Sequence, residues 1–443
     1  MRDMSLYELI IPFPAANAAL QMVRVNGSNI HSGRYNDNAD GENDPVLKLE
    51  CMMIGMKRIM FLGNLAAAYN RYVLKGVVAY TSTHPRLRVF FLDSLDIGDM
   101  RSLLRVGFNG VIVGSCPPES HLPRWVVESG VPAVDASGQH IFENVLPRVL
   151  TDDPATGRLA VDYFFDRGFR HLVFYGLRKY HWADLRWRGM EARAGELGLT
   201  VKRFDKQGMD TEDRKGKTPD AAARWLRDLE KPTAIFAGND FLAAYLIEAC
   251  IELGLKVPED VAILGADDDD LYVHIRKPEI SSIPLPTNEI GFNAMAMLHA
   301  LIQKQPLPSN SMLLAPDRVI TRRSTDLLAV QDPIVKEALI LIKQQLKNGM
   351  GLKGLAQRLE ISKPTLQRHF LAALGRGPGE EIHRAQMELV RRLLANSRMP
   401  MMRIAAEAGF SSPQRFSEWF RREAGTTPTR YRQRHARDWG RSI

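Results

Sequence analysis

Met402-Arg-Ile-Ala-Ala-Glu-Ala-Gly-Phe-Ser-Ser-Pro-Gln-Arg-Phe-Ser-Glu-Trp-Phe-Arg-Arg422 is the stretch on which the reading of this chain turns. Its apolar residues recur at helical spacing on both sides of Gly409-Phe410, so the pattern predicts a helix over 402–408, a turn, and a second helix over 413–422. Ser411 and Ser412 stand where a side chain accepts the unpaired N–H groups of a helix start, and Pro413 is tolerated in that first turn. Phe416, Trp419 and Phe420 fall on one face, and Gln414, Arg415 and Glu418 on the other. This is helix-turn-helix geometry, in which the second helix enters the major groove of DNA. A lone unit of this kind also reads as an αα-hairpin in a core, so its surroundings decide.

Upstream the same pattern occurs again. Leu352, Leu355, Ala356 and Leu359 share one face of a short helix, Ser362 caps a second, and Pro364 sits in its first turn. Leu366, Phe370 and Leu371 point inward from that second helix, while Lys363, Thr365, Gln367 and Arg368 point away. A longer helix over 379–394 joins the two units and can set their recognition helices about one DNA turn (~34 Å) apart. Charge agrees with this reading. The chain carries +8 overall, but from Lys343 onward 20 Lys and Arg face only 8 Asp and Glu, so the remainder is mildly acidic. A basic module on an acidic body fits a polyanionic partner, double-stranded DNA.

Before this module the pattern changes class. From Arg58 onward short apolar runs (58–62, 89–92, 110–113, 133–135, 171–175, 233–236, 261–264) alternate with helical segments (66–80, 97–104, 125–129, 156–168, 183–197, 240–253, 291–303). That alternation predicts parallel sheets covered by helices on both faces, with room for two lobes, and ligands at the carboxyl ends of the strands. Pro316 to Thr325 reads as a last strand, 326–333 as a linker, and a helix follows over 334–347. The polar, Gly- and Asn-rich run Asn26 to Pro45 cannot bury enough apolar surface to order itself, so 1–55 reads as a disordered extension, with Met56 as an alternative start. The apolar run Leu9 to Leu20 is short and broken by Pro12 and Pro14, so neither a signal peptide nor a membrane span is expected. The 3 cysteines (Cys51, Cys116, Cys250) form no CxxC pair, which fits a reducing cytoplasm. No P-loop, HExxH, GxSxG or metal-ligand cluster appears, so no cofactor and no metal is expected. An enzyme would need a matched acid–base or nucleophile–base set. Only the acids Asp267 to Asp270 are candidates, and no partner motif accompanies them. For Asp268 to Asp270 the reading is a solvated loop, with a metal site as the alternative.

The run Ile404-Ala405-x-x-Ala408-Gly409-Phe410-x-Ser412-x-x-x-Phe416-x-x-x-Phe420-Arg421-Arg422-x-x-Gly425-x-Thr427-Pro428-x-x-Tyr431-Arg432 resembles the signature of AraC-type transcription regulators, and Leu366-Gln367-Arg368-x-Phe370 resembles their first recognition helix. The resemblance implies base contacts by Gln367 and Arg368 in one unit and by Gln414 and Arg415 in the other. Ser411, Ser412 and Arg422 would then meet phosphate. Pro364 and Pro413 stand where polar or aromatic readers often occur in that family. The body resembles the LacI-type regulatory core, itself similar to periplasmic sugar-binding proteins. The residues that carry this are Asp152-Asp153-x-x-x-Gly157-Arg158-x-Ala160, Ile235-Phe236-Ala237-Gly238-Asn239-Asp240, and Gly254-x-x-Val257-Pro258-x-Asp260-Val261-Ala262-Ile263-x-Gly265-x-Asp267-Asp268. A two-lobed sensor over 56–325, followed by an all-α domain over 334–443, resembles the xylose-responsive group of regulators. This implies a small sugar effector, D-xylose, and activator action on sugar-catabolism genes; another pentose or hexose remains the alternative. A homodimer and contact with RNA polymerase are also expected. The sugar pocket implied by resemblance uses Asn64, Asp153, Arg186 (in the family's Arg-x-x-Gly189 spacing), Asn239 or Asp240, and Asp267. Trp182 reads either as a stacking face for the sugar or as core, Tyr69 is a weaker stacking candidate, and Asn239-Asp240 also suits a helix cap.

Overall fold

A strand buried on both faces must be apolar at nearly every position, and it then belongs inside a parallel sheet with helices above and below. The computed structural model describes residues 56–92, 107–116, 122–139, 142–205, 225–327, 329–330, 332–349 and 351–435. The extension 1–55 and the helix expected over 97–104 lie outside the described residues. The described strands are β1 (Lys57–Leu62), β2 (Leu87–Leu92), β3 (Gly110–Val113), β4 (Ala133–Asp135), β5 (Arg148–Thr151), β6 (His171–Gly176), β7 (Val201–Asp205), β8 (Thr233–Ala237), β9 (Val261–Ala266), β10 (Ser281–Ile283) and β11 (Ser311–Leu314). Both β8 and β9 are buried along their whole length.

Two compact units result. The first comprises Met1–Thr156, Leu177–Gly189 and Pro284–Asp317, and the second Gly157–Gly176, Met190–Ile283 and Arg318–Ile443. In the first unit a parallel sheet runs β11-β5-β4-β3-β1-β2. Helices α1 (Ala68–Thr81) and α2 (Leu122–Glu128) follow β1 and β3 in sequence, while the helices labelled α3 (Asp153–Asp166) and α4 (His181–Glu196) each contribute residues to both units. The second unit has a parallel sheet in the order β10-β9-β8-β6-β7, with α5 (Asp240–Glu252) after β8 and α6 (Asp270–Ile275) after β9. Helix α7 (Thr287–Ile302) returns to the first unit and packs on α1 backbone to backbone, with Ile59, Phe61, Val73, Val77, Ile290 and Leu298 in the shared core. The approach depends on glycine. A Cβ at Gly76 would stand 2.0 Å from the Asn288 carbonyl oxygen, and one at Gly291 would stand 1.9 Å from that of Val73.

The last strand expected over 316–325 does not form as a ladder. Ile320 makes an isolated antiparallel bridge with Ser282, and Arg323–Thr325 is a 3₁₀ turn. Side chains take the place of the missing pairs: the Ser281 N–H donates to Ser324 Oγ (2.8 Å), and the Arg322 N–H donates to Ser281 Oγ (2.7 Å).

After this strap the chain is helical: α8 (Pro333–Gln345), α9 (Leu352–Arg358), α10 (Lys363–Leu374), α11 (Pro378–Asn396), α12 (Met401–Glu407), α13 (Pro413–Ala424) and α14 (Pro428–His435). Asp332 caps α8 by accepting the N–H groups of Ile334 and Val335. Two small cores share α11. Leu355, Leu366, Phe370 and Leu374 pack with its Ile382, whereas Ile404, Phe416, Trp419 and Phe420 pack with its Val390 and Leu394. The helical module falls in the same compact unit as the second sheet. The segment 326–333, expected to be a linker, is tied down there by a bond from the Ala329 N–H to the Arg167 carbonyl (2.8 Å).

Candidate sensor site and nucleic-acid interface

In doubly wound sheets ligands lie beyond the carboxyl ends of strands where strand order reverses. In the first sheet that place is β1, flanked by β2 and β3. Asn64 lies just past β1, half-buried, and its Oδ1 accepts the Ala66 N–H (2.8 Å) to start the turn into α1. Asn70, wholly buried on α1, clamps the two loops. Its Nδ2 donates to the carbonyls of Asn64 (2.8 Å) and Ser115 (2.7 Å), and its Oδ1 accepts the Ser115 N–H (2.7 Å). The signal for Asn70 in the sequence is a single amide on the buried, mostly apolar face of this helix.

Asp153 opens α3 and Arg186 lies on α4, both almost wholly buried, with Arg186 Nε donating to Asp153 Oδ1 at 2.7 Å. Burial pushes the Asp153 carboxyl up and the Arg186 charge pulls it back. The same guanidinium stands 4.7 Å from the centre of the Trp182 ring, one helical turn earlier. Trp182 is half-buried and leans on Tyr180, so it is neither a plain core residue nor a bare stacking face. Tyr69 donates its hydroxyl to the Ala136 carbonyl (2.9 Å), and burial, with Asp153 and Asp135 nearby, pushes its phenol up.

Asp135, at the end of β4, belongs to this group and was not anticipated. It is fully buried, and its Oδ1 accepts the N–H (2.7 Å) and hydroxyl (2.5 Å) of Ser137. Its Oδ2 has no hydrogen-bond partner among the described residues, and Arg148 stands 3.8 Å away. Burial pushes its carboxyl up to about 6, against the pull of Ser137 and Arg148. A raised carboxyl favours the folded state below the ordinary carboxylate pKa and loses that contribution as pH climbs through about 6. Asp135→Asn is therefore expected to gain stability on the parent between about pH 4 and pH 7, by about 2–3 kcal/mol at ~1.4 kcal/mol per pKa unit. Urea titrations of both proteins across that range check this, and a pH-independent difference would refute it.

In the second sheet the order reverses at β6, between β7 and β8. Asn239, past β8, caps α5 by accepting the Leu242 N–H (3.0 Å). Asp240 differs from the expected ligand contact. It is 1% exposed and its Oδ2 accepts the Asp269 N–H (2.8 Å), while its Oδ1 is packed against Gly265, where a Cβ would come within 2.0 Å. Burial, then the neighbouring Asp267, hold its carboxyl well above the usual range. Asp240 thus anchors the next loop. That loop is not the solvated acid run expected for Asp268 to Asp270. Asp268 forms an ion pair with Arg322 (2.6 Å), Asp269 is buried and caps α6, and only Asp270 is exposed. Among the described residues no group of three or more His, Cys, Asp or Glu side chains is placed to hold a metal ion. Asp267 (φ 102°) and Asp268 (φ 51°) both lie in the left-handed region, a backbone cost of about 1–3 kcal/mol each that is characteristic of functional loops.

The two recognition helices are built alike. Ser362 accepts the Thr365 N–H and Ser412 that of Arg415, each helix has proline in its first turn, and each ends on a left-handed glycine, Gly375 (φ 72°) or Gly425 (φ 66°). On α13, Gln414, Arg415, Glu418 and Arg422 are exposed, as is Ser411 before it. On α10, Lys363 and Arg368 are exposed, while Thr365 is half-buried and bonds Ser362 Oγ (2.8 Å). Gln367 departs from the outward-facing reading: it is half-buried, with its amide against Gly377 at the start of α11. Arg422 pairs with Glu423 (3.0 Å).

A doubled helix-turn-helix module after a parallel-sheet body defines a class, the DNA-binding transcription regulators with a periplasmic-binding-protein-like sensor. The profile of the periplasmic binding protein-like domain matches 161–325, and that of the helix-turn-helix domain matches 355–434. Over 85% of its length the chain is similar to the xylose operon regulatory proteins. That of Escherichia coli (strain K12) is 27% identical over 385 residues, covering 85% of this chain and 96% of that protein. That of Haemophilus influenzae (strain ATCC 51907 / DSM 11121 / KW20 / Rd) is 24% identical over 386 residues, covering 85% and 98%. A solved structure of the xylose-binding transcription activator XylR aligns with a TM-score of 0.55 at 26% identity, covering 86% of this chain and 98% of that one. The chain is accordingly a DNA-binding transcription regulator that joins a periplasmic-binding-protein-like domain to a helix-turn-helix domain. Among the described residues no helix is long and apolar enough to cross a membrane.

Proposed function

We propose that the chain is a D-xylose-responsive regulator of sugar-catabolism genes. The observation that carries this is a basic module with two like-built recognition helices, joined to a sensor-type body in the same order as in relatives named for the xylose operon. Sugar recognition needs forked polar groups for adjacent hydroxyls and an aromatic face for the C–H surface. In the first unit Asn64, Tyr69, Trp182 and the Asp153–Arg186 pair supply both kinds of group, and in the second unit Asn239 and Asp267 supply polar ones. Asp240 acts through the loop it holds. On DNA, Arg368, Gln414, Arg415 and Glu418 read base edges, and Lys363, Ser411, Ser412 and Arg422 meet phosphates. The working form is a cytoplasmic homodimer, matched to repeated half-sites and acting beside RNA polymerase.

Thermal shift of the full chain against a panel of pentoses and hexoses tests the sensor. Stabilisation by D-xylose supports the reading, another sugar reassigns the effector, and silence for all of them overturns it. For the reader, Arg368→Ala and Arg415→Ala should each weaken binding to a duplex selected by the full chain by about 1–3 kcal/mol. Affinity should also fall steeply with salt. Unchanged affinity in both variants would sink the assignment of these helices.

A further inference from the structure

The second unit contains an unbroken line of polar contacts from the loop after β9 to the helix shared by both helix-turn-helix units. At one end Arg322 donates from Nη2 to Asp268 Oδ1 (2.6 Å) and from Nη1 to the Ile280 carbonyl (2.9 Å). The Arg322 backbone is stitched to Ser281, whose Oγ accepts the Thr325 hydroxyl (2.6 Å). The buried Tyr163 hydroxyl lies within hydrogen-bond distance of Thr325 Oγ1 (2.5 Å) and Thr321 Oγ1 (3.1 Å), and its single proton can be given to either. Thr321 in turn donates to Glu388 Oε1 (3.0 Å), on α11.

The far end is a docking cluster. Arg167 donates from Nη2 both to Glu388 Oε1 (3.0 Å) and to Thr321 Oγ1 (3.2 Å). Arg376, just before α11, donates to the Asp166 side chain and carbonyl (2.7 Å each) and pairs with the buried Glu381 (2.7 Å). The Arg376–Glu381 pair is shielded from solvent, so breaking it leaves a buried charge uncompensated, whereas Glu388 is partly exposed and is held by three donors and charges together, Arg167, Thr321 and Arg384. Because α11 contributes to both small cores, a shift of α11 moves both recognition helices together.

We propose that this line is the coupling element of the protein. It links the Asp267–Asp269 loop, through the strap 318–326 and the Thr321–Arg167–Glu388 cluster, to the placement of α11. The proposal rests on the sensor reading for its natural input, but not for its test. The left-handed backbone at Asp267 and Asp268 is costly, so a ligand that relieves it would shift the loop, and Arg322 would register that shift because it is bonded to Asp268 and to the strap at once. Sugar binding at the loop would then reach DNA through differential contacts in two states of one element.

The test is amide hydrogen exchange over 378–396 in the full chain, with two inputs: D-xylose, and Asp268→Asn, which weakens the Arg322 pair without any ligand. Ser281→Ala serves as a second input should Asp268→Asn fail to fold. In the parent background each input is expected to change exchange in this helix by about fivefold or more. With Thr321→Val or Glu388→Met present, the same inputs should change it by less than about twofold. An undiminished response in both cut variants overturns the proposal, and so does a parent helix that ignores Asp268→Asn and Ser281→Ala. Failure of every sugar to stabilise the parent would count against the sensor reading alone. Stabilisation by D-xylose with no change over 378–396 would count against the coupling line alone.

Discussion

Arg186→Ala is expected to cost about 3–5 kcal/mol of stability, because it leaves the Asp153 carboxylate buried without its cation. The pair is nearly dry, so the loss is far larger than for an exposed ion pair, which contributes about 0–1 kcal/mol. Asp153 already carries a raised carboxyl pKa through burial, and without Arg186 protonation becomes its remaining escape. The penalty should therefore shrink as pH falls, and Arg186→Ala with Asp153→Asn should recover much of it. Arg186 and Trp182 belong to the proposed sugar pocket, and on that proposal the D-xylose-induced thermal shift should vanish even where the variant folds. Denaturant titration at neutral and acid pH measures this. A cost below about 1 kcal/mol would mean that the pair is solvated and contributes no more than an exposed ion pair.

Gly291→Ala should have an effect of similar size for a purely steric reason. The added methyl would stand 1.9 Å from the Val73 carbonyl oxygen and 3.0 Å from the Val77 nitrogen, both backbone atoms of α1. Side chains can turn aside from an intruder, but a hydrogen-bonded helix backbone cannot, so α1 and α7 would have to separate and open the core that they seal. Ordinary overpacking costs about 1–3 kcal/mol; with backbone as the obstacle the expectation is about 3–5 kcal/mol. Gly76→Ala meets the Asn288 carbonyl at 2.0 Å and should behave alike. Recognition helices α10 and α13 are built from other residues, so the variants should keep those helices. Proteolysis that cuts within 56–156 while sparing 352–435 would show the damage confined to the first unit. Parent-like melting of either variant would refute the close approach.

The legible parts of this chain were those fixed by local periodicity and end signals. Both recognition helices could be read because apolar spacing, serine caps and first-turn prolines act within one or two turns. The central strands β1, β3, β8 and β9 could be read because burial on both faces demands continuous apolar runs. Strands β5, β7, β10 and β11 were missed, being short or at sheet edges, where polar and charged residues interrupt the pattern. Pro316 to Thr325 looked like a strand from its β-branched residues, yet serine side chains satisfied the backbone in place of a ladder.

Site residues divided in the same way. The resemblance pointed to Asp153 and Arg186, but their pairing spans 33 residues of sequence and became visible only in the fold. Asp240 resembled a ligand contact, and burial against Gly265 turned it into an anchor for the loop. Gln367 had the helical phase of a base reader, and its packing on Gly377 turned it inward. By itself the sequence determined the class of each part: a parallel-sheet body, a basic doubled helix-turn-helix module, and the order of the two. Those follow from interactions between near neighbours and from summed charge. Only the tertiary structure decided which polar groups are buried, which charges meet, and that Asp268 and Arg322, 54 residues apart, lie on one line with α11. Desolvation and ion pairing depend on atoms that are close in space, and separation along the chain does not report that distance.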